Sequence, residues 1–459
     1  MPNPVREEDP PATEAVAPSP LVHAGIDTRT IESTDGRPAN VDARVVRPAS
    51  RGNLRALWSM RDFRVFLTGE AISAIGDAVT LTALPLLVLA LTGSGVAMGV
   101  VGVLQMLPDF VFGLLAGAFA DRWDRRRMML YSDIGRAILT ALIPLSIPLG
   151  IPTMGVILLV TMPISTLRVT FMAAYTGAVP NLVGREQIGP ANSLMEAAFS
   201  FGYIIGPGIA GVLAAVIGPG PTLALDAVSF LASAAAIATI SRSMRAERTE
   251  SDQRHLLHEV AEGVAFVTRH PILRPAIGFW GLSNIATAAL VPAVTYYLTR
   301  DLGFSSTVLG LAIAAEACGY FLGAVSGARV TKDLPIGRVI ITANVVTGLM
   351  IFAFGQLTQI PLLVLVSFAA GFSNALVLIG YITLRAAVTP DQLLGRVGST
   401  ARMVSLGLQP IGMLVAGILL DTVGGGGTLA AMGLTSILAS GVFALSRPLR
   451  RAELQSVSV

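Results

Sequence analysis

From residue 54 onward the chain alternates long apolar stretches with short turns rich in glycine, proline and arginine. Each stretch holds roughly 20 residues or more, enough for a helix to cross a hydrocarbon core of about 30 Å. The pattern predicts spans near 64–91, 96–119, 128–149, 153–177, 194–217 and 222–241, then 272–298, 306–329, 338–356, 361–385, 397–420 and 427–446. The stretches are apolar all round, whereas membrane barrels alternate in strands of about ten residues. The predicted fold class is therefore all-α integral membrane, with twelve transmembrane helices. Residues 1–53, rich in proline and charge, lack an apolar h-region and are expected to form a disordered tail, neither signal peptide nor packed domain.

Composition supports lipid as the solvent: 53% of residues are hydrophobic and 13% charged, against about 25% charged in soluble domains. The basic residues are Lys332 and otherwise arginine, and their placement predicts orientation. Arg61 and Arg64, Arg122 to Arg127, Arg242 to Arg269, Lys332, Arg338, Arg396 and Arg447 fall on one side. Only Arg300, beside Asp301, falls on the other. Both termini are expected in the cytoplasm of a cell-membrane protein. The domains read as a tail (1–53), a six-helix bundle (54–241), a cytoplasmic amphipathic linker (242–271) with Leu257, Val260, Val264 and Val267 on one face, a second bundle (272–446) and a C-terminal tail (447–459). The bundles repeat in parallel. An offset of 207 pairs Thr80 with Thr287 and Pro85 with Pro292 and sets Asp77 opposite Asn284; an offset of 206 pairs Gly206 with Gly412 and Gly211 with Gly417.

Three motifs stand out. The second span ends in Gly117-Ala118-Phe119-Ala120-Asp121-Arg122-Trp123-Asp124-Arg125-Arg126-Arg127, which resembles motif A of the major facilitator superfamily, with Asp124 where that family usually has glycine. The fifth span carries Gly202, Gly206, Pro207 and Gly211, which look like motif C, the glycine-proline signature of antiporters in that superfamily. Arg168 stands where motif B places its arginine. Ile75-Gly76-Asp77, Leu225-Asp226 through Phe230, and Glu262-Gly263 through His270-Pro271 are similar to the branch of macrolide-efflux and enterobactin-type siderophore exporters. The resemblance implies two six-helix bundles that rock about a central site, a latch formed by Gly117, Asp121, Arg122, Arg125 and Arg126, and outward transport.

A charge at the centre of an inserting helix costs about 2.5 to 3.5 kcal/mol, so each requires an explanation. Asp77, Asp109, Glu316 and Arg168 fall near midspan, and Glu70, Ser73, Asp77 and Thr80 share one face of the first span, expected to line the cavity. Asp77 is the leading candidate for proton coupling, with Arg168 as its expected partner, Asp109 and Glu316 next, and Asn284 its counterpart in the second half. Asp133 with Arg136 reads as a local ion pair, Asp226 as an interfacial residue, and Arg385 and Arg402 as snorkelling side chains.

No phosphate-cradling Gly-x-x-x-x-Gly-Lys-Ser/Thr loop surrounds Lys332, so no ATP site is expected and a proton gradient is the expected energy source, with no cofactor. His255 and His258 lack further ligands for a metal, and no nucleic-acid patch or enzyme constellation is present in the pattern. The expected function is proton-coupled export of an amphipathic drug, antibiotic, siderophore or secondary metabolite by a monomer in the bilayer. A lysophospholipid flippase and a sensor that has lost transport are the alternatives.

Overall fold

The computed structural model describes residues 54–242, 244, 256–330 and 334–446; for 54–55, 113–122, 185, 256–260, 328–330 and 391 it describes the backbone alone. The expected tails, 1–53 and 447–459, and much of the linker, His255 included, lie outside the described residues, as do the side chains of Leu257, His258 and Val260. Among the described residues the chain is helical and contains no strand.

A short helix α1 (Leu54–Ser59) leads into the first six spans: α2 (Arg61–Thr92), α3 (Gly95–Arg122), α4 (Arg125–Ser146), α5 (Thr153–Val183), α6 (Ile188–Ile217) and α7 (Pro219–Ala238). Helix α8 (Leu256–Arg269) precedes α9 (Leu273–Thr287), α10 (Leu290–Tyr296) and a π-helical turn at Tyr297–Asp301, which together make one span. Three more follow, α11 (Ser306–Val330), α12 (Ile336–Phe354) and α13 (Ile360–Ala387). The chain ends in α14 (Leu394–Ala444), which is two spans divided at Gly424, where φ is 75°. An L side chain is strained in that conformation, and glycine lets the chain reverse in one residue. Asp301 accepts from the Gly425 N–H at 2.7 Å and so caps the second part of α14.

Both bundles thread in the same circular order. In the first, α6 packs on α2, α2 on α7, α7 on α4, α4 on α5, and α5 on α3. In the second, the first part of α14 packs on α9, α9 on the second part, that on α12, α12 on α13, and α13 on α11. The bundles meet along two seams, α3 against α14 and α6 against α11.

The cores tell which end of the molecule is closed. Toward the end of the bundles remote from Leu54 and Ser446, here the distal end, one core contains residues of both bundles, including Leu87 and Val101 with Tyr297 and Leu420. Toward the proximal end the apolar core splits in two, one around Phe66 and Leu182 in the first bundle and one around Phe279 and Ile340 in the second. The distal closure is backbone on backbone. A Cβ at Gly417 would meet the Gly95 carbonyl at 2.8 Å, and one at Gly310 would meet the Gly211 Cα at 3.1 Å and the Pro207 carbonyl closer still. Small residues at such crossings give close van der Waals packing where lipid supplies no hydrophobic drive between helices. Asp421 adds a polar clamp across the bundles, accepting from Gly95 N at 2.5 Å, Val96 N at 3.1 Å and the Ser94 hydroxyl at 2.7 Å.

Candidate transport site

Glycine decides how the first bundle gathers its charge. At Gly76 a side chain would run into Ser229 and Asp226, and at Gly69 a Cβ would stand 2.7 Å from Ala236, so α2 and α7 lie in close contact. That approach brings Asp226 to Thr80, which donates to it at 2.5 Å, while Ser229 donates at 3.2 Å. Glu70, one face with them on α2, takes a hydrogen bond from Ser233 at 3.3 Å. Arg136 of α4 pairs with Asp133 and reaches Asp77 at 3.9 Å. Its guanidinium lies between the rings of Phe171 (4.7 Å) and Phe230 (4.2 Å).

Four carboxyl groups thus surround one arginine. Glu70, Asp133 and Asp226 are buried, and of the four only Asp77 keeps part of its side chain, 35%, exposed. Beside this cluster, Arg168 of α5 pairs with Asp109 of α3, with 41% and 14% of their side chains exposed. The polar stripe of α2 therefore does not line the cavity as a whole: Glu70 and Ser73 turn into the first bundle, because α7 and α4 offer them partners that lipid and an apolar wall do not. Asp77 and Arg168 are also not an ion pair; Arg136 holds Asp77 and Asp109 holds Arg168.

The second bundle is different. Asn284 donates to the Trp280 carbonyl at 2.8 Å and accepts from Gln409 at 2.9 Å, a neutral pair where the first bundle has Asp77. Glu316 stands apart from the cluster, beside a cavity of about 20 Å³ bounded by Val294, Phe354 and Ser367, room for one water.

The motifs act as joints. Gly202 and Gly206 place α6 on α2, where Cβ atoms would come 2.9 Å from Ala74 C and 2.5 Å from Ala78 Cβ, while Gly211 and the Pro207 carbonyl meet α11. Gly117, Asp121 and Arg122 lie in α3, and their side chains fall outside the described residues. Arg125 donates to the Gly177 carbonyl at 2.8 Å, and Arg126 donates to Ile237 (3.1 Å) and Ala238 at the end of α7, so both hold their own bundle together. Asp124, in place of the usual glycine, has ordinary extended backbone and accepts from Arg127 N at 3.1 Å as the N-cap of α4.

Asp226, Asp133 and Arg136 are the site residues that the linear pattern assigned elsewhere. Asp226 sits in a six-residue stretch singled out by its resemblance, and Asp77 in one of three; the aspartate in each of two intramembrane signatures is the signal that links them.

Comparison with known proteins places this geometry. Residues 55–458 match the family model described as transmembrane secretion effector. The multidrug efflux pump Tap of Mycolicibacterium fortuitum is 30% identical over 85% of this chain and 97% of its own length. The macrolide efflux protein A of Streptococcus pyogenes is 24% identical over 80% and 91%. Among solved structures, a mutant form of the nucleoside transporter NupG superposes with a TM-score of 0.72 at 14% identity, covering 84% of this chain and all of that one. A bacterial homologue of the iron transporter ferroportin in an inward-facing state gives 0.68 at 15% identity, covering 84% and 98%. The matched length, the Tap relative and the paired six-helix bundles agree: the chain belongs to the transmembrane secretion effector family of the major facilitator superfamily and is a multi-pass membrane transporter, not an enzyme.

Proposed function

We propose that the protein exports amphipathic small molecules of the drug or antibiotic class in exchange for protons, by alternating access. The observation that carries this reading is the cluster of Glu70, Asp77, Asp133 and Asp226 around the single Arg136, with Asp77 its one partly exposed member. Four carboxyl groups cannot all be ionised around one guanidinium in a low-dielectric setting at modest cost, so proton occupancy is the variable this site can change. Asp77 is the entry point, and the Arg168–Asp109 pair on the same wall is the place where a substrate can compete with an internal ion pair. The efflux names of the relatives support export and the substrate class. The arginine-rich proximal loops support a cytoplasmic proximal face, which makes the distally closed arrangement the inward-open state.

The test is efflux from vesicles under an imposed pH gradient. Asp77→Asn is expected to abolish gradient-driven transport of a macrolide or a dye while leaving substrate binding measurable. Undiminished gradient-driven efflux by that variant would remove Asp77 from the coupling role.

A further inference from the structure

We propose that the second bundle carries an anion site among α9, α13 and the first part of α14, built to hold the phosphate or carboxylate group of an amphiphile. A cavity of about 460 Å³ opens there, lined by Trp280 of α9, Tyr381 and Arg385 of α13, and Ser399, Arg402 and Ser405 of α14. It contains two cations and no carboxylate, and among the described residues neither Arg385 nor Arg402 makes an ion pair. This is the opposite of the first bundle, where Arg136 and Arg168 are each matched by aspartate.

Three further observations point to a ligand. Trp280 and Tyr381 stack with ring centroids 4.7 Å apart and planes 10° from parallel, which fixes the Trp280 ring, and Arg385 lies over the Tyr381 ring at 5.6 Å. The Tyr381 hydroxyl is buried, in a side chain only 2% exposed, and closes no hydrogen bond of ordinary geometry. Arg385, its charged neighbour, is itself a donor, so the hydroxyl proton has no acceptor among the described residues. Gly395 and Gly398 leave open space at the first turn of α14, where a Cβ would touch nothing within 4 Å. An oxyanion seated between the arginines gains charge-assisted hydrogen bonds from planar guanidinium donors and the favourable end of the α14 dipole. The chain attached to it finds Leu378, Ile382 and Leu406 on the same wall. An amphiphile with an anionic head satisfies both halves of this lining; a simple inorganic anion satisfies one.

The inference is independent of the driving ion and of transport direction, so it is tested by binding alone. The full-length protein is placed in phosphatidylcholine nanodiscs with Trp58 and Trp123 changed to Phe, leaving Trp280 as the fluorescent reporter. Dodecyl phosphate is expected to quench Trp280 saturably and dodecyltrimethylammonium to bind at least about tenfold more weakly, a difference of about 1.4 kcal/mol. R385Q and R402Q are expected to weaken dodecyl phosphate binding about tenfold each, and the R385K/R402K double variant, which keeps the charge, to retain the preference for phosphate. Discs containing phosphatidylglycerol separate the sources: competition with dodecyl phosphate assigns the site to a lipid headgroup, and its absence assigns it to a free amphiphile. Equal binding by R385Q, R402Q and the parent, or equal affinity for the cationic and anionic detergents, overturns the proposal.

Discussion

At the scale of single residues, the charges of the first bundle are buried against partners. Arg136 lies between two aromatic faces, a contact of about 0.5 to 2 kcal/mol, and beside two aspartates, which offsets part of the cost of holding a guanidinium in the membrane. His270 shows the same logic outside the membrane. Its Nδ1 accepts from the N–H groups of Ile272 and Leu273, both at 3.2 Å, and so caps the start of the seventh span. Burial holds His270 below its usual value of 6.5, so the folded chain binds this proton less readily than the unfolded chain. The cap is fully present above the unfolded value and is lost as pH falls through the lower folded value. Thermal unfolding in detergent is therefore expected at a lower temperature at about pH 5.5 than at about pH 7.5. His270→Asn, which caps in one charge state, should flatten that difference; an unchanged pH profile would show that the ring does not serve as the cap.

At the scale of elements, the motif at the start of α4 becomes intelligible. Glycine is unnecessary at position 124 because the backbone there, with φ −71° and ψ 109°, is open to any residue, and aspartate supplies an N-cap. Asp124→Ala is expected to cost about 1 kcal/mol of stability and Asp124→Gly only a few tenths, read from denaturation midpoints in detergent. At Gly310 in the α6–α11 seam, by contrast, no side chain fits. Gly310→Val is expected to leave membrane insertion intact and to reduce transport at least about tenfold, since a Cβ there meets the α6 backbone and displaces the helices by more than packing tolerates. Parent-level efflux by Gly310→Val would show that the seam does not need to close.

At the scale of the whole molecule, Asp421 is the residue whose contact most directly reports the arrangement of the two bundles. It belongs to the second bundle and caps the first turn of α3 in the first. Asp421→Asn keeps the shape and removes the charge that favours the helix N-terminus, an effect of about 0.3 to 1 kcal/mol and so a few-fold change in population. Spin labels at Val216 and Leu362, both exposed at the distal end, are expected to report a larger fraction of long distances in Asp421→Asn than in the parent. An identical distance distribution would show that this clamp carries no part of the closed-state preference.

The linear pattern of apolar and charged positions determines that this chain crosses a membrane twelve times as helices, and its motifs identify the superfamily, because span length, apolar girth and small-residue spacing are local properties of a helix in lipid. It also marks Asp77, Asp109 and Arg168 as groups that need partners. Who those partners are was decided by the tertiary structure. Arg136 rather than Arg168 meets Asp77, Asp226 joins the cluster through the glycine-lined approach of α2 and α7, Glu70 turns inward, and Glu316 stands alone in the other bundle. Helical spacing fixes which side chains share a face but leaves open which neighbour that face meets. That choice follows from rotation and depth of helices distant in sequence, set by close contacts such as those at Gly69, Gly76 and Gly206. The same holds for Arg385 and Arg402, whose places near span ends suggest snorkelling and whose shared wall with Trp280 and Tyr381 exists only once three helices come together.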